Sequence, residues 1–388
     1  MSNLLGIGEA LALVLERARA LPVEDVPIAE AAGRVLASAA HAVTDLPPFD
    51  SSAMDGYAVR ASDTPGLLSV VGHSAAGRPA SRRVGQREAV GISTGAVVPA
   101  GADAVVPVER TKGEVEVEQV AAGENVRVRG GDVRAGDVVV EAGELLGPTQ
   151  VGALAAAGVD VVSCARRPRA AVLATGTELR PPGSPLAAGE IYESNSVLLR
   201  AQLAEAGAIA EVLQSVADDE AATRAAVERG LQADVLITSG GVSVGPHDLV
   251  RGVLADLGAE EIFWRVAVKP GKPIAFAVRD GTLVFGLPGN PVSSLVGFEL
   301  YVRPALRALQ GERDPGPRYA SATLARTAPR NRDRDEFLRA RREGDSLEPL
   351  EGQGSHMIVR AALANALVHI PRGDGELRAG ARVDYLPI

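Results

Sequence analysis

The alternation of apolar and polar positions changes character along the chain, and each change predicts a different kind of element. Residues 6–21, GIGEALALVLERARAL, carry apolar side chains at i, i+3 and i+4, the spacing of an amphipathic helix, and the chain reads as helical to about Leu46. A Pro47-Pro48 turn ends that stretch. From Phe49 to Arg134, short valine-rich runs such as GEVEVEQV alternate with Gly, Pro and charged residues, the pattern of antiparallel strands and tight turns. PTQVGALAAAGV (148–159) returns to helical spacing, and Arg166-Arg167-Pro168-Arg169 reads as a linker. Apolar strands then alternate with helices up to GERDPGPRY, after which short strands and glycine turns resume, as in a small β-barrel or sandwich. These textures divide the chain into a helical and hinge part (1–46 and 135–167), a β-rich insertion (47–134), an α/β domain (168–312) and a C-terminal β domain (316–388).

Within the α/β stretch a strand–loop–helix unit occurs three times. AAVLA runs into Thr175, Gly176, Thr177 and Glu178; DVLITS runs into Gly240, Gly241 and on to Asp248; TLVFGL runs into Pro288-Gly289-Asn290-Pro291 and a long amphipathic helix. Such units form a largely parallel sheet with the loops together at the carboxyl ends of the strands, where open α/β sheets bind ligands. The second loop suits close backbone approach to an oxyanion, because Gly240, Gly241 and Gly245 leave room while Thr238, Ser239 and Ser243 donate hydrogen bonds. Asp248 would repel a bare anion and so points to a divalent metal beside it. The plainer reading of the third loop is helix punctuation, with Asn290 as cap and Pro291 at the first helical position. No G-x-G-x-x-G follows these strands and Gly271-Lys272 lacks the P-loop spacing, which excludes a dinucleotide fold and a P-loop NTPase.

Composition narrows the class. The 388 residues suffice for several domains, and the 46% apolar content is that of a globular protein. A net charge of −9 argues against non-specific binding to nucleic acid or anionic membranes. The single cysteine, Cys164, excludes an intrachain disulfide, and with five scattered His it leaves no basis for structural zinc. The glutamate-bearing N-terminal helix is neither a signal peptide nor a membrane span, so a cytoplasmic protein with no nucleic-acid or membrane partner is expected. No Ser-His-Asp set, nucleophilic Cys motif or HExxH is visible, which leaves positioning and electrostatics as the means of catalysis.

PPFDSSAMDGYAV (47–59), GISTGAVVPAGADAVVPVE (91–109), LATGTEL (173–179), IYESN (191–195), TSGGVSVGPHD (238–248), VKPGKP (268–273) and FGLPGNPVSS (285–294) together resemble the molybdopterin molybdenumtransferases, the MoeA family that includes the E domain of gephyrin. The resemblance runs in order from about residue 5 to the C-terminus. It implies an α/β plus β multidomain fold: a helical and hinge part, a β-rich insertion, a three-layer α/β molybdopterin-binding domain and a C-terminal β-barrel, assembled as a homodimer. It also implies insertion of molybdate into adenylylated molybdopterin with release of AMP, with Mg²⁺ required. Partners would be a molybdopterin adenylyltransferase and apo-molybdoenzymes. Two other readings stay open: a molybdopterin adenylyltransferase, and a non-catalytic scaffold of the same fold.

The candidate residues follow. Lys269 and Lys272 flank Pro270-Gly271, and two ammonium groups held close together repel unless an anion lies between them, so they read as phosphate or molybdate clamps; the alternative is a solvated charged turn. Glu178 and Asp248 are candidates for Mg²⁺ and for orienting water, with helix capping as the alternative role. Asp218 and Asp219 precede a helix and offer further carboxylates or merely a cap. Thr175, Gly176, Ser239, Gly240, Gly241, Ser243, Gly245, Pro288, Asn290, Pro291 and Ser293 would cradle the substrate. Asp55 and Thr94 are carried over from the resemblance as catalytic, and Arg127, Asp132 and Ser355 more weakly, a turn or surface ion pair being their plainer role. Trp264 and Cys164 read as packing residues and His356 as a loop residue. The chain departs from the family pattern at Pro246-His247, at Arg129-Gly130-Gly131-Asp132 and at Thr177, where carboxylates are expected, and this leaves the number of metal ions open.

Overall fold

A computed structural model of the chain describes residues 4–113, 115–215, 219–241 and 249–388. The N-terminal amphipathic pattern forms helix α1 (Ile7–Arg17), with Ala10 and Val14 fully buried. The expected helical run to Leu46 does not continue. Val23–Pro27 is instead a strand, paired antiparallel with Val161–Ala165. Pro22 and Pro27 bracket it, and neither can sit inside a helix, since each lacks the amide a helix interior needs. In the insertion, Ser69–Ser74, Glu88–Ile92, Gly56–Val59 and Ala104–Pro107 form a four-stranded sheet in that order.

The α/β domain is a six-stranded sheet made of β1 (Arg169–Ala174), β2 (Ile209–Val212), β3 (Val235–Ser239), β4 (Glu260–Trp264), β5 (Ala275–Arg279) and β6 (Thr282–Leu287), in the order β2-β1-β3-β6-β5-β4. The first four run parallel, and β5 and β4 complete the sheet antiparallel. Alternate residues serve opposite faces, as a strand's two-residue period requires. Val172, Ile237 and Phe285 pack beneath α1, α2 (Asn195–Glu205) and the helical run that starts with α5 (Pro291–Gly297) and continues to Leu309. Leu173, Leu236 and Val284 pack against α3 (Glu220–Gly230) and α4 (Leu249–Asp256) on the other face. The result is three layers, with both faces of the parallel strands covered.

The C-terminal strands Asp335–Glu343, Ser346–Pro349, Ala320–Leu324, Arg382–Pro387 and Ala366–Ile370 pair in a ring, because the last also bonds the first, and this closes a barrel around Leu338, Leu347 and Val368. The short segment Val268–Lys269, from the α/β domain, adds to Asp335–Glu336 in parallel and stitches the barrel to the sheet. Among the described residues no helix is long and apolar enough to cross a membrane.

The linker enters the sheet through Asp234. Its carboxylate accepts hydrogen bonds from both terminal nitrogens of Arg166 at 2.6 and 2.7 Å and from the Arg169 amide at 2.8 Å. Burial alone would raise this carboxyl, but the Arg166 and Arg169 bonds outweigh it and hold the group below its usual range. A group depressed in the folded state stabilises the fold above its unfolded value of about 4, and that contribution fades as pH falls through the folded value. Asp234→Asn is therefore expected to lose about 1.5–3 kcal/mol at neutral pH, the scale of hydrogen bonds to a charged group. Urea unfolding at neutral and acid pH checks this: the gap from the parent should shrink in acid.

Candidate functional site

Parallel register places Ala174, Ser239 and Leu287 side by side at the carboxyl ends of β1, β3 and β6. The loops that follow are bonded to each other directly. The Thr175 amide donates to Ser239 O and the Gly240 amide to Leu287 O, each at 3.1 Å. Gly240 has φ +89°, and a Cβ there would lie 2.8 Å from Thr175 O, so this position combines a left-handed backbone with a close approach of two chains. Glu178 closes one side of the cleft, its carboxylate next to Gly176.

The other side comes from the start of α2 and from the barrel. Asn195, at the first turn of α2, donates from Nδ2 to Ser239 Oγ and to Gly289 O, both at 2.7 Å, and so ties the β3 and β6 loops together. Glu193, also buried, accepts from the Ser196 amide at 2.9 Å. The Val292 amide donates to Ser355 O at 3.0 Å, which brings the barrel loop and His356 to the rim. That loop is held from below by Arg339, only 1% exposed, whose guanidinium donates to Gly352 O and Met357 O. Burial lowers the pKa of Arg339. The cleft, open to solvent on one side, has a volume of about 700 Å³, within the range of small-molecule sites.

Of the residues singled out from sequence, Thr175, Gly176, Glu178, Ser239, Gly240, Gly241, Asn290 and Pro291 line this cleft. Pro291 is the first residue of α5, and the Asn290 side chain makes no capping bond, although its carbonyl accepts from the Ser293 and Ser294 amides. Pro288 and Ser293 are buried behind the loop, with Pro288 O accepting from the Ser294 hydroxyl. Asp218, Ser243, Gly245 and Asp248 lie outside the described residues. Asp219 caps α3 by accepting from the Ala222 amide at 2.7 Å.

Lys269 and Lys272 do not line the cleft. Their turn backs onto the first turn of α5, where a Cβ on Gly271 would lie 3.7 Å from Ser293 O. Lys269 Nζ pairs with Glu336 of the barrel at 2.9 Å, so the two lysines need no anion between them to coexist. Lys272 is exposed and, among the described residues, forms no ion pair. Asp55 and Thr94 do meet: Asp55 Oδ1 accepts from the Thr94 amide at 2.8 Å, both side chains exposed. Arg127 sits in a short ladder against Ser51, and the Asp132 amide donates to Leu46 O. Trp264 lies between the guanidiniums of Arg251 and Arg265, at 4.1 and 3.7 Å from its ring centre. Cys164 is fully buried, and burial pushes its thiol pKa up. Sequence reasoning missed Asn195, Glu193, His356 and Arg339 as parts of this site; the IYESN motif signalled the first two.

Three family profiles match in chain order: "MoeA N-terminal region (domain I and II)" over residues 5–158, "Probable molybdopterin binding domain" over 171–308 and "MoeA C-terminal region (domain IV)" over 321–388. Molybdopterin molybdenumtransferase 2 of Mycobacterium tuberculosis is 38% identical over 96% of this chain and 96% of its own. The chain belongs to the molybdopterin molybdenumtransferase family. Another relative, molybdopterin molybdenumtransferase of Haemophilus influenzae, is 36% identical over 97% of this chain and 98% of its own. A crystal structure of the molybdopterin biosynthesis MoeA protein from Pyrococcus horikoshii superposes with a TM-score of 0.86 over the full length of both chains, at 29% identity. Most of the cleft of this molybdenumtransferase family member is lined by the segment matched to the molybdopterin-binding domain, with His356 and Ile358 added from the segment matched to the C-terminal domain.

Gly240→Ala tests the close approach. Gly281 has the same φ of +89° but open space around its missing Cβ. Gly281→Ala is expected to cost about 1–2 kcal/mol, the left-handed backbone term alone. Gly240→Ala should cost more and also weaken ligand binding, because it pushes the β1 and β3 loops apart. Unfolding curves of the two variants, with calorimetric binding, measure the difference; equal losses would show that the contact with Thr175 carries no strain.

Proposed function

We propose that the cleft at the ends of β1, β3 and β6 binds adenylylated molybdopterin and that the protein uses it to insert molybdate, with release of AMP. The protein is a transferase of molybdenum cofactor biosynthesis, as its family membership over nearly the whole chain states. The observation that carries the assignment to this cleft is the meeting of three phosphate-suited loops, with backbone amides and small hydroxyls, at one edge of a parallel sheet. In the reaction two thiols of the dithiolene lose their protons, two Mo–S bonds form and one oxide of molybdate leaves as water. Water then cleaves the phosphoanhydride, giving AMP and the phosphate monoester.

The chain's own groups divide this work. Ser239 and the β3 loop donate to phosphate oxygens, and the enclosing walls hold the reacting groups in place, so that catalysis rests on orientation and preorganised dipoles. Glu178, which pairs with no cation among the described residues, faces a cleft whose described lining carries no Lys or Arg. A phosphate beside that carboxylate calls for a cation, and magnesium is typically held by one or two carboxylates plus substrate phosphates, so the donor set fits the ion although no three ligating side chains converge among the described residues. Glu178 would hold it, with Asp218 and Asp248 as further candidates; when bound, it neutralises phosphate charge. Lys272 of the neighbouring turn forms no ion pair among the described residues and is read as a molybdate contact, with Lys269 anchoring that turn to the barrel.

The Asp55–Thr94 pair belongs to the insertion, and among the described residues no hydrogen bond or ion pair joins the insertion to the α/β domain. We take it to complete the site across a homodimer, in a cytoplasmic protein that receives its substrate from a molybdopterin adenylyltransferase and passes its product to apo-molybdoenzymes.

Purified protein given adenylylated molybdopterin, Mg²⁺ and molybdate should release AMP and activate an apo-molybdoenzyme; ATP-dependent accumulation of adenylylated molybdopterin would instead select the adenylyltransferase reading. Glu178→Gln, which keeps size but removes charge, should lower molybdate-dependent AMP release by about 10²–10³, the scale of one lost electrostatic element. Near-parental turnover would remove Glu178 from the mechanism. Asp55→Ala and Glu178→Ala should each be inactive, while a co-refolded mixture regains activity, because the heterodimer gathers both lesions in one site and leaves the other intact. Demonstrated heterodimers without activity would show that the two residues act within one chain.

A further inference from the structure

We infer that Asn195 is a positioning residue that makes the Ser239 hydroxyl a hydrogen-bond donor to a ligand oxyanion; the inference rests on the phosphate-bearing substrate proposed for this cleft. Asn195 is 8% exposed, and its two bonds leave little freedom. Gly289 O can only accept, so the atom beside it must be the amide nitrogen, and the orientation of the side chain is fixed by chemistry. That nitrogen has two protons. One goes to Gly289 O and the other to Ser239 Oγ, which occupies a lone pair of the hydroxyl and leaves its own proton to give away.

Nothing among the described residues takes that proton: Ser239, at the floor of the cleft, makes no other side-chain hydrogen bond. The orientation is also held at a cost, since Asn195 Oδ1 is buried without a partner. An amide needed only to join two loops would gain by a placement that satisfied both its ends. Here one end is sacrificed so that the other can fix the direction of the Ser239 O–H bond. An oxyanion above Ser239 then meets a donor that does not have to be turned away from a neighbouring carbonyl before it binds.

Substitution separates this role from simple bracing. With inorganic pyrophosphate as the probe, Mg²⁺ present and calorimetry on the full chain, Ser239→Ala and Asn195→Ala should each weaken binding by about tenfold or more, the scale of one hydrogen bond to a charged group. The double variant should bind no more weakly than Ser239→Ala, because Asn195 acts through that hydroxyl. Asn195→Asp should be worse than Asn195→Ala at neutral pH, since its carboxylate takes the Ser239 proton, and should recover relative to the parent as pH falls and the carboxyl regains a proton. Bracing through Gly289 O would also return on protonation, but equally in the unfolding curves, so the donor role is read from a recovery in binding that exceeds the one in stability. Unfolding curves establish that each variant is folded, and Asn195→Asp alone decides the matter if Asn195→Ala does not fold. Additive losses in the double variant, an Asn195→Asp variant without that excess recovery, or a parent that binds no pyrophosphate overturns the inference. A parent that binds pyrophosphate with this pattern yet releases no AMP from adenylylated molybdopterin would overturn the proposed reaction instead.

Discussion

The register of three parallel strand ends controls everything at the cleft. Ala174, Ser239 and Leu287 stand in one row, and the amides just beyond the first two, of Thr175 and Gly240, donate across to the next strand. A slip of one residue in any of these strands would turn its apolar side chains from one helix layer to the other, so the buried faces lock the register and the register locks the loops. Small residues then allow the loops to touch, with Gly240 against Thr175 and Gly289 against Gly240. The site is therefore a by-product of how the core packs, and its precision is that of the core.

The second wall depends on a different arrangement. Val268–Lys269 leaves the α/β domain, pairs with Asp335–Glu336 and thereby anchors the barrel, while Lys269 spends its charge on Glu336. Further along the same barrel strand, Arg339 holds the 352–357 loop through the Gly352 and Met357 carbonyls and the Gln353 side chain, and the Val292 amide fixes Ser355 at the start of α5. The barrel is thus joined to the α/β domain by main-chain bonds at two places, of which the Val292–Ser355 bond lies at the rim of the cleft and brings His356 there.

Much of this was legible beforehand because it is written in local patterns. Three apolar runs, each followed by glycines or small hydroxyls and then a helix, specify parallel strands and put their exits on one edge. The cleft-lining role of Thr175, Glu178, Ser239 and Gly240 follows from that alone. The IYESN motif pointed to Asn195 but its role was not readable, since an asparagine opening a helix looks like a cap, and its work depends on two loops from elsewhere in the chain. The ion pair of Lys269 was unreadable for the same reason: its partner, Glu336, belongs to a strand of another domain. The region between Leu21 and Leu46 was misread as helical because the apolar content there is helix-like, whereas prolines at 22 and 27 and a distant partner strand decide the outcome.

The described lining of the cleft contains Glu178 and Glu193 but no Lys or Arg, in a chain whose net charge is −9. A polyanion taken up there would approach against the protein's long-range field and meet no cationic side chain among the described residues lining the cleft. Capture depends on short-range contacts made after arrival, so the association rate should be slow and should rise as salt screens the repulsion, the reverse of a steered ligand. Delivery from a docked donor, in which the metabolite never crosses the open solvent, would relieve such a site of its kinetic handicap.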